Sequence, residues 1–195
     1  MQLYYSPGAC SLADHIALHE ADIKFDRIKV DLKAKRTENG ENFLDINPKG
    51  YVPALRLDDG QLLTENIAVL SWVARQAPAL APQGDLAPFR LIEMLAFIST
   101  ELHKQFAPIF KGAGEAEQQA ARDKIGQRLS YLDKQLNGDY LFGANATVAD
   151  SYLFVMLMWA QKAGIEIPSK LKTYFERVKA RPAVAKSLEH EGLNG

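Results

Sequence analysis

Two places in the sequence hold side chains able to do chemistry. The first is Tyr4-Tyr5-Ser6-Pro7-Gly8-Ala9-Cys10-Ser11-Leu12, which carries the chain's only cysteine. Residues 3–5 read as a strand, Ser6 to Ala9 as a turn, and Leu12, Ala13, Ile16 and Ala17 as one face of a helix running to about Glu20. Cys10 therefore falls at the mouth of a helix, where unpaired backbone N–H groups and the positive end of the dipole favour a thiolate. A lone cysteine is otherwise a small buried apolar residue. Here the Pro7-Gly8 turn predicts that the sulfur is exposed and nucleophilic. The second place is Thr100-Glu101-Leu102-His103-Lys104. If that helix faces the cysteine, a cation on His103 or Lys104 favours the thiolate further.

The elements that must position these groups follow from the periodicity. Residues 25–32 alternate, with Ile28, Val30 and Leu32 on one face, and make a strand parallel to the first in a right-handed βαβ unit. The basic cluster Lys33, Lys35 and Arg36 follows, then a short helical piece over 41–46 that stops before Asn47-Pro48. Residues 51–57 and 61–64 flank Asp58-Asp59-Gly60 and read as an antiparallel hairpin. Pro53 belongs at a strand start or edge, leaving Val52 with backbone groups free to pair elsewhere. Thr64 is placed to cap a helix over 65–75 whose buried stripe is Ile67, Leu70, Val73 and Ala74. This order gives a small mixed sheet with helices on both faces, a thioredoxin-like arrangement.

Residues 79–87 hold Pro82 and Gly84 without periodicity and read as a linker. Beyond them every periodic stretch is helical: 89–106, 115–137, 148–163, 169–181 and 183–191. Pro108 should end or bend the first of these. Thr147-Val148-Ala149-Asp150 has the form of a capping box, a folding device and not a catalytic one. Met156, Met158 and Trp159 lie on a strongly apolar helix and read as core.

At 195 residues, 47% hydrophobic and 24% charged, the chain is an ordinary globular protein able to bury its own core. Its formal net charge of −1 gives no reason to expect a nucleic acid or an anionic membrane as partner. No apolar stretch is long enough to span a bilayer, and no secretory signal is seen. A single cysteine forms no internal disulfide, which fits a cytoplasmic protein. His15, His19 and His190 lack metal-ligand spacing with a cysteine or acid and read as helix-surface residues, so no metal is expected. Phosphate loops and Ser/His/Asp arrangements are not found either.

Three motifs, Tyr-Tyr-Ser-Pro-Gly-Ala-Cys-Ser-Leu from Tyr4, Asn-Pro-Lys-Gly-Tyr-Val-Pro-Ala-Leu from Asn47, and Leu-Thr-Glu-Asn-Ile-Ala from Leu63, resemble in content and order the bacterial beta-class glutathione S-transferases. The resemblance runs nearly end to end. It implies an α/β plus all-α fold: a thioredoxin-like glutathione-binding domain over 1–78, a linker over 79–87, and an all-helical domain over 88–195 that walls the electrophile site. It also implies glutathione as co-substrate, with no metal, and a homodimer. Cys10 would face the glutathione sulfur and could form a mixed disulfide with it. Val52, before a cis Pro53, would pair its backbone with the cysteinyl part of the tripeptide. Lys35 would meet the glycyl carboxylate, Glu65 the γ-glutamyl ammonium, and the Asn66 N–H the γ-glutamyl carboxylate. His103 would sit beside the glutathione thiol, with the Thr100 hydroxyl one turn earlier. Tyr5, Ser11 and Lys104 complete the candidate binding set.

Three departures accompany the resemblance. Asn66 stands where the family often has glycine, and Ala96 where several relatives carry an asparagine. Cys10-Ser11-Leu12-Ala13 lacks the second cysteine of thioredoxin, so any redox cycle must use glutathione as resolving thiol. The activity implied is conjugation of glutathione to small, mostly apolar electrophiles. Two rivals are a glutathione-dependent thiol–disulfide oxidoreductase working through Cys10, and a binding or scaffold protein of the same fold without turnover.

Overall fold

The computed structural model describes residues 1–193 of the chain. A five-stranded sheet of order β3-β2-β1-β4-β5 opens it, built from β1 (Gln2–Tyr5), β2 (Asp26–Asp31), β3 (Arg36–Thr37), β4 (Ala54–Arg56) and β5 (Leu62–Thr64). β1 and β2 are parallel around the crossover helix α1 (Leu12–Glu20), and β4 pairs antiparallel with both β1 and β5. The two-residue β3, too short to show a period, pairs antiparallel with β2 and was not anticipated. Alternation along β1 divides the core. Leu3 and Tyr5 face α1 and α3 (Asn66–Gln76), while Tyr4 joins Ile28, Val30, Val52, Ala54 and Phe43 of α2 (Phe43–Ile46) on the opposite face.

The second half is helical: α4 (Ala87–Phe97), α5 (Ala107–Phe110), α6 (Glu115–Gln135), α7 (Val148–Lys162), α8 (Ser169–Lys179) and α9 (Pro182–His190). The stretch predicted as one helix over 89–106 is not one. It passes from α4 into a π-helical turn over Ile98–Leu102 and a 3-10 turn over His103–Phe106. Pro108 opens the short α5 beyond that change, so the distortion lies upstream of the proline, where its missing donor and ring crowd the preceding turn. α7 is apolar nearly all round and buried from Val148 to Leu157, with α1 and α9 packed against it or one another. One apolar cluster thus continues from the sheet through α1 into the helices. The capping box is formed, with Asp150 Oδ2 accepting the Thr147 N–H at 2.7 Å.

Two smaller expectations fail. Thr64 does not cap α3: Glu65 holds that position, and the Thr64 hydroxyl instead accepts from Lys49 Nζ at 2.9 Å. His15, His19 and His190 are not helix-surface residues either. His15 is fully buried and its ring packs with the other two, because α9 lies against the face of α1 that carries them.

Candidate active site

A cleft of about 470 Å³ opens where the Cys10 turn, the Val52–Pro53 segment and the start of α3 meet the helical half. It brings together Cys10, Val52, Pro53, Glu65, Asn66 and His103 from the predicted set. Seven wall residues lie outside that set: Tyr51, Ile67, Ala68, Ser71 and Ile92, and, beside His103, Ser99 and Tyr152.

Cys10 lies just ahead of α1 as expected, but its surroundings reverse the expectation of an exposed thiolate. The side chain is only 9% exposed, and burial, reinforced by the carboxylate charge of Asp14, pushes the thiol up to about 12. The backbone N–H groups of Cys10 and Ser11 do pull the other way, yet they are outweighed. Cys10 is therefore a thiol at neutral pH, and its S–H donates to the Val52 carbonyl at 3.5 Å. The Val52–Pro53 peptide bond is cis. The turn itself is held from both sides at Gly8, whose φ of +69° suits a residue without a Cβ. Its N–H donates to Glu191 at 2.8 Å and its carbonyl accepts from Trp159 Nε1 at 2.9 Å.

The mouth of α3 supplies the polar end. Glu65 adopts φ +75°, ψ 128°, a conformation that costs a non-glycine residue on the order of 1–3 kcal/mol. Its Oε1 accepts from Lys49 Nζ at 2.5 Å and from the Tyr51 hydroxyl at 2.7 Å, and these bonds hold its carboxyl below the usual range. Asn66 turns its side chain inward, its Nδ2 donating to the Cys10 carbonyl at 2.9 Å and to Asp14 Oδ2 at 3.1 Å. That leaves its backbone N–H at the helix mouth, where anions are favoured. Lys35, at φ +54°, donates from Nζ to the Gly50 carbonyl at 2.6 Å. It reaches the backbone next to Tyr51 without lining the cleft.

His103 reaches the cleft from the helical side but not as a cation. Burial lowers it to about 4, so the expected charge beside Cys10 is absent at neutral pH. Its Nδ1 shares a 2.6 Å hydrogen bond with the Tyr152 hydroxyl, and Trp159 stands edge-on to its ring. Burial also raises Tyr152, which therefore keeps its proton.

Besides Lys35, four more candidates are not at the cleft. Tyr5 is buried against His15, because it sits on the core-facing side of β1. Ser11 is fully buried, its Oγ accepting from the Ser6 N–H at 3.2 Å. Thr100 points away and donates to the Ala96 carbonyl at 3.0 Å. Lys104 is exposed outside the cleft walls. The π-helical turn accounts for Thr100: i→i+5 bonding widens the turn, so the residue one turn before His103 is Ser99.

Residues 9–76 match the family description "Glutathione S-transferase, N-terminal domain" and residues 100–191 match "Glutathione S-transferase, C-terminal domain". The chain is 41% identical over 200 residues to glutathione S-transferase GstA of Escherichia coli O157:H7, covering 99% of this chain and 100% of that one. The chain belongs to the glutathione S-transferase family. As a glutathione S-transferase it also superposes, with a TM-score of 0.93 and 46% identity, on a sphingomonad glutathione S-transferase complexed with glutathione, covering 99% of this chain and 100% of the other. The bacterial beta class glutathione S-transferase of Sphingomonas chungbukensis superposes with a TM-score of 0.90 at 46% identity, again over 99% and 100%. These likenesses put this glutathione S-transferase with the beta class. A larger cavity, about 830 Å³, lies between the 79–87 segment and the loop before α7. It holds neither thiol nor histidine, and its Arg181 is already paired with Glu20.

Proposed function

We propose that the protein conjugates reduced glutathione to small, mostly apolar electrophiles. The observation that carries this reading is the single cleft joining the Cys10 thiol, the Val52 backbone, Glu65, the mouth of α3 and a neutral His103. Glutathione offers two carboxylates, an ammonium and a thiol. In this reading Val52 takes the cysteinyl backbone, and Glu65 the γ-glutamyl ammonium in place of Lys49. The α3 N-terminus takes the γ-glutamyl carboxylate, and Lys35 swings from Gly50 to the glycyl carboxylate.

That pose puts the glutathione sulfur near Cys10. A protonated Cys10 that gives up its bond to Val52 becomes an S–H donor to that sulfur. With Tyr152 donating to Nδ1, His103 carries its proton on Nε2 and is a second donor. Donors aimed at the sulfur favour its ionised form, so glutathione releases its proton to solvent. The thiolate then forms a bond to the electrophilic carbon while the leaving group departs with its bonding electrons. Exchange chemistry at Cys10 needs the Cys10 thiolate, which burial suppresses, so conjugation is favoured over the oxidoreductase reading. The retained cleft argues against a scaffold without turnover.

In the same reading, residues 1–78 bind glutathione, 79–87 link, and 88–195 wall the electrophile side. The working unit is a homodimer, in keeping with exposed apolar residues on α4, and the single unpaired cysteine suits the cytoplasm. The test is conjugation of glutathione to a chloronitrobenzene by the wild type, Cys10→Ala and Glu65→Ala. Turnover is expected from the wild type, and within about tenfold of it from Cys10→Ala, since only one of two donors is lost. For Glu65→Ala, the lost charge-assisted bond should raise the KM for glutathione about tenfold or more. A wild type that neither turns over nor is retained on immobilised glutathione ends this reading.

A further inference from the structure

The second cluster of chemically capable side chains lies on the far side of α1. His15 and His19 are one turn apart on its face, and His190 is the last residue of α9, packed against them. One nitrogen from each lies within 4.8 Å of the other two. His19 Nε2 and His190 Nδ1 share a hydrogen bond at 3.3 Å, a spacing close to the ~3.4 Å that two imidazoles on one tetrahedral zinc must keep at ordinary Zn–N distances, so a metal would take the place of that bond. The ring centroids form a near-equilateral triangle of 5.0, 5.3 and 5.6 Å.

His15 supplies the independent observation. It is fully buried, its Nδ1 is bonded to Glu191 Oε1 at 2.9 Å, and its Nε2 has no hydrogen-bond partner among the described residues. A carboxylate on one ring nitrogen fixes the tautomer and leaves the other as a bare lone pair. That is how metal-bound histidines are commonly oriented. As a mere packing cluster, the trio would bury that lone pair with nothing to accept from.

We propose that His15, His19 and His190 form a site for a borderline divalent transition metal, with zinc as the natural occupant and Glu191 as the group that orients His15. Three neutral imidazoles suit zinc and leave a fourth position for water. A groove on the His19 side, lined also by Asp22, Phe25 and Lys186, gives access. Arg27 and Lys186 face the cluster and oppose a dication; the acidic group facing it is the Glu191 carboxyl on His15 Nδ1. The bound ion would clamp α9 to α1. Through the other oxygen of Glu191, bonded to the Gly8 N–H, the clamp reaches the turn that carries Cys10.

The experiment uses the full chain without an affinity tag, stripped with chelator and titrated with Co²⁺, whose visible d–d absorption reports four-coordinate geometry. His19→Gln and His190→Gln run beside it, both at half-buried positions that tolerate an amide, and so avoid the folding risk of changing His15. Expected are one cobalt per chain displaced by one zinc, a higher melting temperature with zinc, and affinity at least tenfold weaker in each variant. No four-coordinate spectrum from the wild type overturns the proposal. So does binding that both variants retain unchanged, since the metal would then sit elsewhere.

Discussion

At Cys10 two effects of comparable origin compete, and the structure decides between them. The first turn of α1 offers backbone N–H groups, which lower the thiol, while desolvation and the Asp14 charge raise it, and the latter win. The sequence shows the helix mouth because it is local. It does not show the burial, because Val52 and Asn66, which cover and bond the Cys10 residue, come from 42 and 56 positions away. Tyr152 was missed for the same reason, through a contact spanning 49 positions, and Ser99 for a local one, the widened turn just before His103. With the thiol pushed to about 12 from an ordinary 9.0, thiolate at pH 7.4 is about a thousandfold scarcer than for a free cysteine. Alkylation by iodoacetamide, followed by mass spectrometry, should therefore be slower than that of free glutathione by at least this factor. Its rate should climb about tenfold per pH unit through the alkaline range while the fold holds. Alkylation as fast as that of free glutathione at pH 7.4 would mean that Cys10 is a thiolate after all.

Among the elements, those with a strong period were legible and those defined by distant partners were not. Alternation at Ile28, Val30 and Leu32 announced β2, and the Asp58-Asp59-Gly60 turn announced the β4–β5 hairpin. The two residues of β3 exist only because β2 offers them a ladder. The convergence of His190 on α1 depends on how α9 packs, which no local pattern records. The capping box of α7 was legible, and the structure shows more work at Asp150 than capping. Its carboxylate accepts from the N–H groups of Thr147 and Leu141 and from the Tyr174 hydroxyl at 2.8 Å, all in a buried setting. Asp150→Ala would leave those donors unpaired, a loss of about 3–5 kcal/mol. Asp150→Asn, which keeps an acceptor, should lose less. Urea unfolding checks both: an Asp150→Ala midpoint near that of the wild type would show that the network contributes little. Because Asp150 is outside the cleft, the KM for glutathione of any variant that folds should stay near the wild-type value.

For the molecule as a whole, the buried faces and the exposed ones lead to different expectations. The apolar cluster runs unbroken from Leu3 through α1 to α7 and α9, so the sheet and the helices share a core and should unfold together. Outside that core, α4 and the residue before it present Phe89 at 68% exposure, Leu86 at 58% and Ile92 at 49%, while Ile92 also lines the cleft. An aromatic and two aliphatic side chains on one element, left in water beside the active site, are what an interface core looks like before its partner arrives. The proposed homodimer should cover them. Light scattering at tens of micromolar should then read twice the chain mass for the wild type. Phe89→Glu, which buries a charge in such an interface but touches no core of its own chain, should read a single chain mass. Dimerisation stabilises by mass action, so the melting temperature of the wild type should rise with protein concentration and that of Phe89→Glu should not. A wild type of single-chain mass would remove the dimer. A Phe89→Glu protein of double mass would move its interface away from α4.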